Sequence, residues 1–329
     1  GVGVADALMQ PAKTYLQIVG GFCILNALIP ICSSYLRAFG FSKEPLYASI
    51  IGNVINFCLN AFFLFVLHKG VAGVATATVI SRIINLVIVV MLGAVLVKAK
   101  QHPERESNRE VMGQIIRIGL PSACETAIYN VSMTLVIRFL NQMDAQGLNV
   151  TARSYTMQIT NFSYCVGAAL AQANAIMTGW RIGAKEYDAC DRGTRKAAII
   201  GVIVAVILET MFALCSGWIM QLFSKDPQMV SLVGKLLAID IVLEMGRVTN
   251  LVYGQALKTS GDAVFPVVMG ACFMILCSVG GTYLFGIRLG LLAVGAYIGM
   301  TGDECVRAVG MYLRWKSGKW KEKGLVKSR

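Results

Sequence analysis

Apolar runs of 20 or more residues recur along the whole chain. A helix crosses a bilayer with about 20 such residues, so each run is a candidate span. That much apolar surface excludes a pair of water-soluble domains: 56% of the 329 residues are hydrophobic and 15% charged. Nine spans fit the pattern, at roughly 12–37, 45–67, 71–98, 112–141, 149–180, 194–223, 228–257, 262–287 and 289–315. The fold class expected is an all-α polytopic membrane protein with nine transmembrane helices. The longest polar connection, KAKQHPERESNRE at Lys98–Glu110, divides these into two bundles. Residues 1–99 would hold three helices, 100–111 a linker, 112–315 six helices, and 316–329 a basic tail.

The placement of Lys and Arg explains a net charge of +12 without nucleic acid. Alternate loops collect Arg37, Lys43, Arg105, Arg181, Lys185, Lys258 and the tail RWKSGKWKEKGLVKSR, with their basic neighbours. The opposite loops hold only Lys13, Lys69, Arg138, Arg153, Lys225, Lys235 and Arg288. Basic loops stay in the cytoplasm, so the C-terminus is expected inside and residue 1 outside. Trp180 and Trp315 then fall at cytoplasmic span ends and Trp218 at an outer one, where an aromatic belt belongs. The charge reads as a topology signal with some attraction to anionic lipid. Nine of the ten cysteines lie in apolar runs, where Cys behaves as a small hydrophobe. No CxxC occurs, and His68 and His102 are in loops. No metal, organic cofactor or catalytic constellation is therefore expected.

An outside N-terminus on a chain that begins GVGVADALMQ, without Met or a basic leader, points to missing upstream sequence. An internal repeat points the same way. Gly40…Pro45 matches Gly261…Pro266 at an offset of 221, and HKGVAGVA at 68–75 aligns with RLGLLAVG at 288–295 at an offset of 220. Spans one to three then correspond to spans seven to nine in the same orientation, as in a six-plus-six duplication lacking its first three helices.

The motifs LRAFGFSKEP, GVAGVATATVIS, RIGLPSACETAIYN, GWRIGAKEYDACDRGTRKA, LKTSGDAVFP and RWKSGKW follow one another along the chain. Together they resemble the multidrug and toxic compound extrusion (MATE) family, along family helices four to twelve. The resemblance implies two lobes facing each other across a central cavity in the cell membrane. It implies a monomer exporting amphipathic, often cationic, small molecules in exchange for protons or sodium ions. A flippase for lipid-linked sugars shares the wider superfamily and is the alternative. Sodium-coupled relatives carry acids where this chain has Tyr129 and Arg247, so protons are the favoured coupling ion.

Ionisable residues near the middle of spans are the candidate site, because charge there is expensive, about 2.5–3.5 kcal/mol each, and must face protein or water. They are Arg82, Glu125, Glu209, Asp240, Glu244, Arg247, Asp303, Glu304 and Arg307. Helical spacing pairs Glu244 with Arg247 and Asp303 with Arg307. Asp240, Glu244, Asp303 and Glu304 are candidates for coupling-ion binding, and Arg247 and Arg307 are expected to hold them in a charge network that joins spans seven and nine. Burial favours a protonated carboxylate and a nearby Arg an ionised one. Glu125 has no basic residue within a helical turn, so it is the acid expected to carry the coupling proton. Tyr129 and Asn130 are candidate cavity residues beside it, and Arg82 and Gln158 are further candidates for the cavity lining. The stripe Asn53, Asn56 and Asn60 shares one helical face and is expected to face water. Acids outnumber bases in the second bundle, which favours cations over the pyrophosphate of a flippase.

Overall fold

The computed structural model describes residues 6–97, 108–143 and 147–323. Every regular element among them is helical, and the chain divides into two compact units at Arg105 and Glu106. The start of the chain at 1–5, residues 100–107 of the expected linker including His102, and residues 324–329 of the expected tail lie outside the described residues, while residues 108–111 of that linker open α5.

In the first unit, the expected span 12–37 is two helices, α1 (Asp6–Gly21) and α2 (Leu25–Ala38), bent by 41° between Gly21 and Leu25. Gly20 and Gly21 end α1 because glycine is a poor helix former. α3 (Lys43–Ala61) runs on through a π-helical turn at Phe62–Val66, and α4 (Gly70–Val97) packs against all three other helices. Leu36, Ala48, Val89 and Val97 form the buried core of this unit.

The second unit holds α5 (Asn108–Met143), α6 (Leu148–Gly183), α7 (Tyr187–Leu214), a short α8 (Ser216–Met220) and α9 (Pro227–Thr259). α10 (Val264–Phe273) follows, extended by π-helical turns at Met274–Val279 and Thr282–Arg288, and then α11 (Leu292–Lys316). α9 is the centre, packed on α6, α7 and α11. Its start is fixed by Asp226, whose side chain accepts a hydrogen bond from Gln228 N at 3.0 Å, with Pro227 in the first turn. Two apolar clusters lie along α9. One contains Leu236, Leu237 and Leu243 with Val136 and Tyr297; the other Val248, Val252 and Leu257 with Met311 and Trp315. The charged positions of α9 sit where the two meet.

Four helices are long and apolar enough to cross a membrane by composition: Lys43–Val66, Gly70–Val97, Tyr187–Leu214 and Val264–Arg288. The bent pair α1–α2 makes a fifth if it is one span. α5, α6, α9 and α11 have 36, 36, 33 and 25 residues and carry most of the ionisable groups; Arg82 on α4 and Glu209 on α7 are the others.

The turns after α2 and α9 have the same geometry. Gly40 and Gly261 have φ of 90° and 92°, the left-handed conformation that glycine adopts without steric cost. Phe41 N donates to Leu36 O at 3.0 Å and Asp262 N to Leu257 O at 2.9 Å, the same helix-ending bond at an offset of 221. Further on, the expected offset of 220 is corrected. The left-handed pair His68 and Gly70 matches Gly290 and Leu292 in backbone conformation, at an offset of 222.

Trp315 is a second correction. It is not a belt residue but is 2% exposed, stacked on Trp320 at 4.1 Å, with its indole N–H on Asp191 Oδ1 at 2.9 Å. Gly318, at φ 71°, turns the chain so that Lys319–Glu322 folds back on the second unit. The start of the expected tail is therefore packed structure.

Candidate functional site

The second unit encloses a cavity of about 470 Å³ among α5, α6, α9, α10 and α11, within the range of small-molecule sites. Glu125 and Tyr129 enter from α5, Asp240 and Arg247 from α9, and Asp303, Glu304 and Arg307 from α11. The two pairs expected from helical spacing are present. Arg247 Nη1 lies 2.8 Å from Glu244 Oε2, and Arg307 Nε and Nη2 lie 2.8 and 3.0 Å from the two oxygens of Asp303. Glu304 joins them across the helices, 3.0 Å from Arg307 and 3.6 Å from Arg247, and accepts from Asn250 at 3.1 Å. Ser278 donates to Asp303 Oδ2 at 2.9 Å. Glu244 is fully buried behind the wall.

The premise that singled out Glu125 is corrected. Lys258 Nζ, one helix away on α9, lies 2.6 Å from Glu125 Oε2. Counting along a single helix could not find that partner. Among the described residues Asp240 is the pocket carboxylate that takes part in no ion pair; it is 2% exposed, and its Oδ2 has no hydrogen-bond partner there. Glu209, on α7, is fully buried and neither of its oxygens has a partner.

Two pocket bases, expected in loops, stand on helices. Lys258 stands in the last turn of α9, and Arg153 is buried in the second turn of α6 with its guanidinium in the cavity wall. The wall therefore carries four acids, Glu125, Asp240, Asp303 and Glu304, and four bases, Arg153, Arg247, Lys258 and Arg307. The expected excess of acids does not hold for the cavity itself. Its apolar part is Met133, Met157, Met274, Met300 and Met311 with Tyr129, Tyr164 and Tyr297, and methionine adapts readily to ligand shape. Among the described residues no three His, Cys, Asp or Glu converge as a metal site would require.

The remaining candidates are elsewhere. Asn130 is exposed and donates to Thr126 O of its own helix at 2.9 Å, and Gln158 is exposed outside the cavity wall. In the first unit, Asn60 donates to Asn56 at 3.0 Å and Asn56 to Ser81 Oγ at 3.1 Å, tying α3 to α4. Two of the three stripe residues thus serve a helix contact, correcting the expectation that they face water; Asn53 is exposed. Arg82 is half-buried on α4.

Helices long and apolar enough to cross a bilayer, joined in one chain to a helical cavity lined by paired charges, define a multi-pass membrane protein. The MatE family model matches residues 2–62 and 121–284. The chain is 34% identical over 331 residues to "Uncharacterized transporter YisQ" of Bacillus subtilis (strain 168), covering 99% of this chain and 72% of that protein. It is 22% identical over 340 residues to "Probable multidrug resistance protein YoeA" of the same organism, again covering 99% and 72%. A crystal structure of MATE in the straight conformation superposes with a TM-score of 0.84 at 19% identity, covering 97% of this chain and 72% of that one. The chain belongs to the MATE family of membrane transporters.

Proposed function

We propose that the chain exports amphipathic small molecules by secondary active transport, exchanging them for protons rather than sodium ions. The observation that carries this reading is the cavity: a drug-sized, methionine- and tyrosine-lined space holding one carboxylate, Asp240, that forms no ion pair among the described residues. A buried carboxylate in that state either binds a proton or meets a cation, so a proton and the cationic end of a substrate would exclude each other there. That exclusion is what antiport needs. A relative bearing the name of a probable multidrug resistance protein supports the same substrate class.

In this reading the chain contributes nine spans, three in residues 1–99 and six in 112–315, as parts of a duplicated architecture. The lengths of α5, α6, α9 and α11, each beyond the roughly 20 residues a span needs, support the count. The distribution of Lys and Arg supports a cytoplasmic C-terminus in the cell membrane.

The experiment is efflux of a fluorescent organic cation from proteoliposomes holding the chain, under an imposed proton gradient and, separately, a sodium gradient. Proton-driven efflux that Asp240→Asn removes without loss of folded protein is the expected result. Efflux driven by sodium alone would overturn the coupling assignment.

A further inference from the structure

A second, smaller pocket opens where the end of α11 meets the start of α7. Asp188, Asp191 and Arg195 enter it from α7, Lys316 from α11 and Lys321 from the fold-back after α11, with the buried Tyr253 of α9 in the wall. Its volume is about 150 Å³, below the roughly 300 Å³ at which drug-sized sites begin. It shares no wall residue with the central cavity. Asp191 is committed twice, to Arg195 Nη2 at 3.0 Å and to the Trp315 indole at 2.9 Å. Asp188, Lys316 and Lys321 take part in no ion pair among the described residues. One acid and two bases therefore line one small space without partners of their own.

Exposed charges need no partner in water, so these three by themselves name no ligand. The apolar groove that continues from them does. α7 lies against α9 at Val248, beside Gly201, and α11 lies against it at Gly246, beside Cys305. The face of α9 between those two contacts runs Tyr253, Thr249, Met245 and Val242, at spacings of three and four. Met245 is 38% and Val242 49% exposed. Ile199, one turn beyond Arg195 on α7, and Val309, one turn before Tyr312 on α11, are also exposed. From Tyr253 to Val242 the stripe is about 16 Å long at 1.5 Å per residue, close to one leaflet's share of a hydrocarbon core of about 30 Å. A charged pocket at the end of such a stripe has the outline of one bilayer lipid.

We propose that this groove binds phosphatidylethanolamine, a phospholipid whose headgroup joins a phosphate to a primary ammonium. The phosphate lies between Lys316 and Lys321, the ammonium on Asp188, and an acyl chain along Met245 and Val242. A purely anionic headgroup would satisfy the lysines but set negative charge beside Asp188. A quaternary ammonium has no N–H to give a carboxylate and takes an aromatic face instead. At Trp320 that position is already held: one side of the ring stacks on Trp315 at 4.1 Å, and Lys321 Nζ lies 5.8 Å from its centre. The inference is independent of the substrate reading; the orientation proposed above places the site in the inner leaflet.

The test offers the purified full chain an equimolar mixture of phosphatidylethanolamine, phosphatidylcholine and phosphatidylglycerol with matched acyl chains, and reads the retained lipid by native mass spectrometry. Phosphatidylethanolamine should be retained about two- to fivefold over each of the others, as one exposed ion pair implies. Asp188→Asn should remove that advantage, and Lys316→Gln combined with Lys321→Gln should lower retention of all three lipids. The three side chains are exposed, so these variants keep the fold. Equal retention of the three lipids by the unaltered chain overturns the inference. Phosphatidylglycerol retained above the others overturns it in favour of a basic patch that gathers any anionic lipid. A phosphatidylethanolamine advantage that survives Asp188→Asn, or retention that the lysine changes leave untouched, places the lipid elsewhere and overturns it too.

Discussion

Asp262 offers a sharp test of the packing around the turn after α9, because it stands in that turn, ahead of the apolar helix Val264–Arg288, and its partners are fixed. It is 1% exposed and accepts from Arg314 Nε and from Lys323 Nζ, both at 2.7 Å. Arg314 also lies over the Phe265 ring at 5.1 Å. The bond to Arg314, whose side chain is 18% exposed, is charge-assisted and partly buried, worth about 1.5–3 kcal/mol. Lys323 is 44% exposed and counts at the surface value, about 0–1 kcal/mol. Asp262→Asn keeps one acceptor oxygen but loses the charge, so the expected cost is about 2–3 kcal/mol. At about 2 °C per kcal/mol for a unit of this size, the unfolding midpoint should fall by about 4–6 °C. Burial alone would raise the Asp262 carboxyl, but the hydrogen bonds and charges of Arg314 and Lys323 outweigh it and hold it below the ordinary value. With the folded-state value depressed, the stabilisation is complete above the unfolded-state value of about 4 and disappears as pH falls through the folded-state value. The gap between the unaltered chain and Asp262→Asn should therefore close as pH is lowered from about 5 to about 3. Tryptophan fluorescence of the detergent-solubilised chain is the assay, since the Trp315–Trp320 stack is built on the same segment. Coincident midpoints at pH 7, or a gap as wide at pH 3 as at pH 7, would refute the reasoning.

The Glu125–Lys258 pair is partly buried on both sides, so Glu125→Gln and Lys258→Met should each cost about 1–3 kcal/mol by stranding the other charge. The double variant should recover much of that loss; strict additivity in thermal midpoints would mean that the two do not interact. Glu209 gives the opposite expectation. With both oxygens lacking a partner, and facing Ser163, Asp240 and Glu244, its change to Gln should leave the midpoint unchanged or raise it by the equivalent of about 1 kcal/mol. A loss of more than about 2 kcal/mol would show that Glu209 holds a partner that stabilises it.

What was legible in the sequence divides by range. The pairs Glu244–Arg247 and Asp303–Arg307 were readable because a helix fixes which residues three and four apart are neighbours. Pairs between helices were not. Lys258 with Glu125, Arg247 with Glu304 and Arg314 with Asp262 depend on how far one helix is shifted along another, which local periodicity does not encode. The same uncertainty misplaced Arg153. Its position six residues into α6 is within the error of a span boundary drawn by hydropathy, so it was counted with the loops. Glu125 looks unpaired in the sequence for one reason: its partner, Lys258, stands on another helix. The all-α class needed no such register, because span length and apolarity alone decide it.

The repeat gains physical content from the π-helical turns. The offset between corresponding positions is 221 at Gly40 and Gly261 and 222 at His68 and Gly290. A π-helical turn accommodates one extra residue without breaking a helix. The second unit has such a turn at Met274–Val279 in addition to the one at Thr282–Arg288, whereas the first has only Phe62–Val66 among its described residues. One added bulge accounts for the added residue. With that shift, the hydrogen bond from Asn56 to Ser81 falls on the bond from Ser278 to Asp303, each joining equivalent helices at the same place. The equivalents of Asp303, Glu304 and Arg307 are then Ser81, Arg82 and Asn85. The helix contact itself works with neutral side chains, as the first unit demonstrates. In the duplication proposed above, the Asp303–Arg307 pair is thus an addition to a frame that does not need it. Its cost in desolvation is met where the cavity lies, on the side of α11 facing α9.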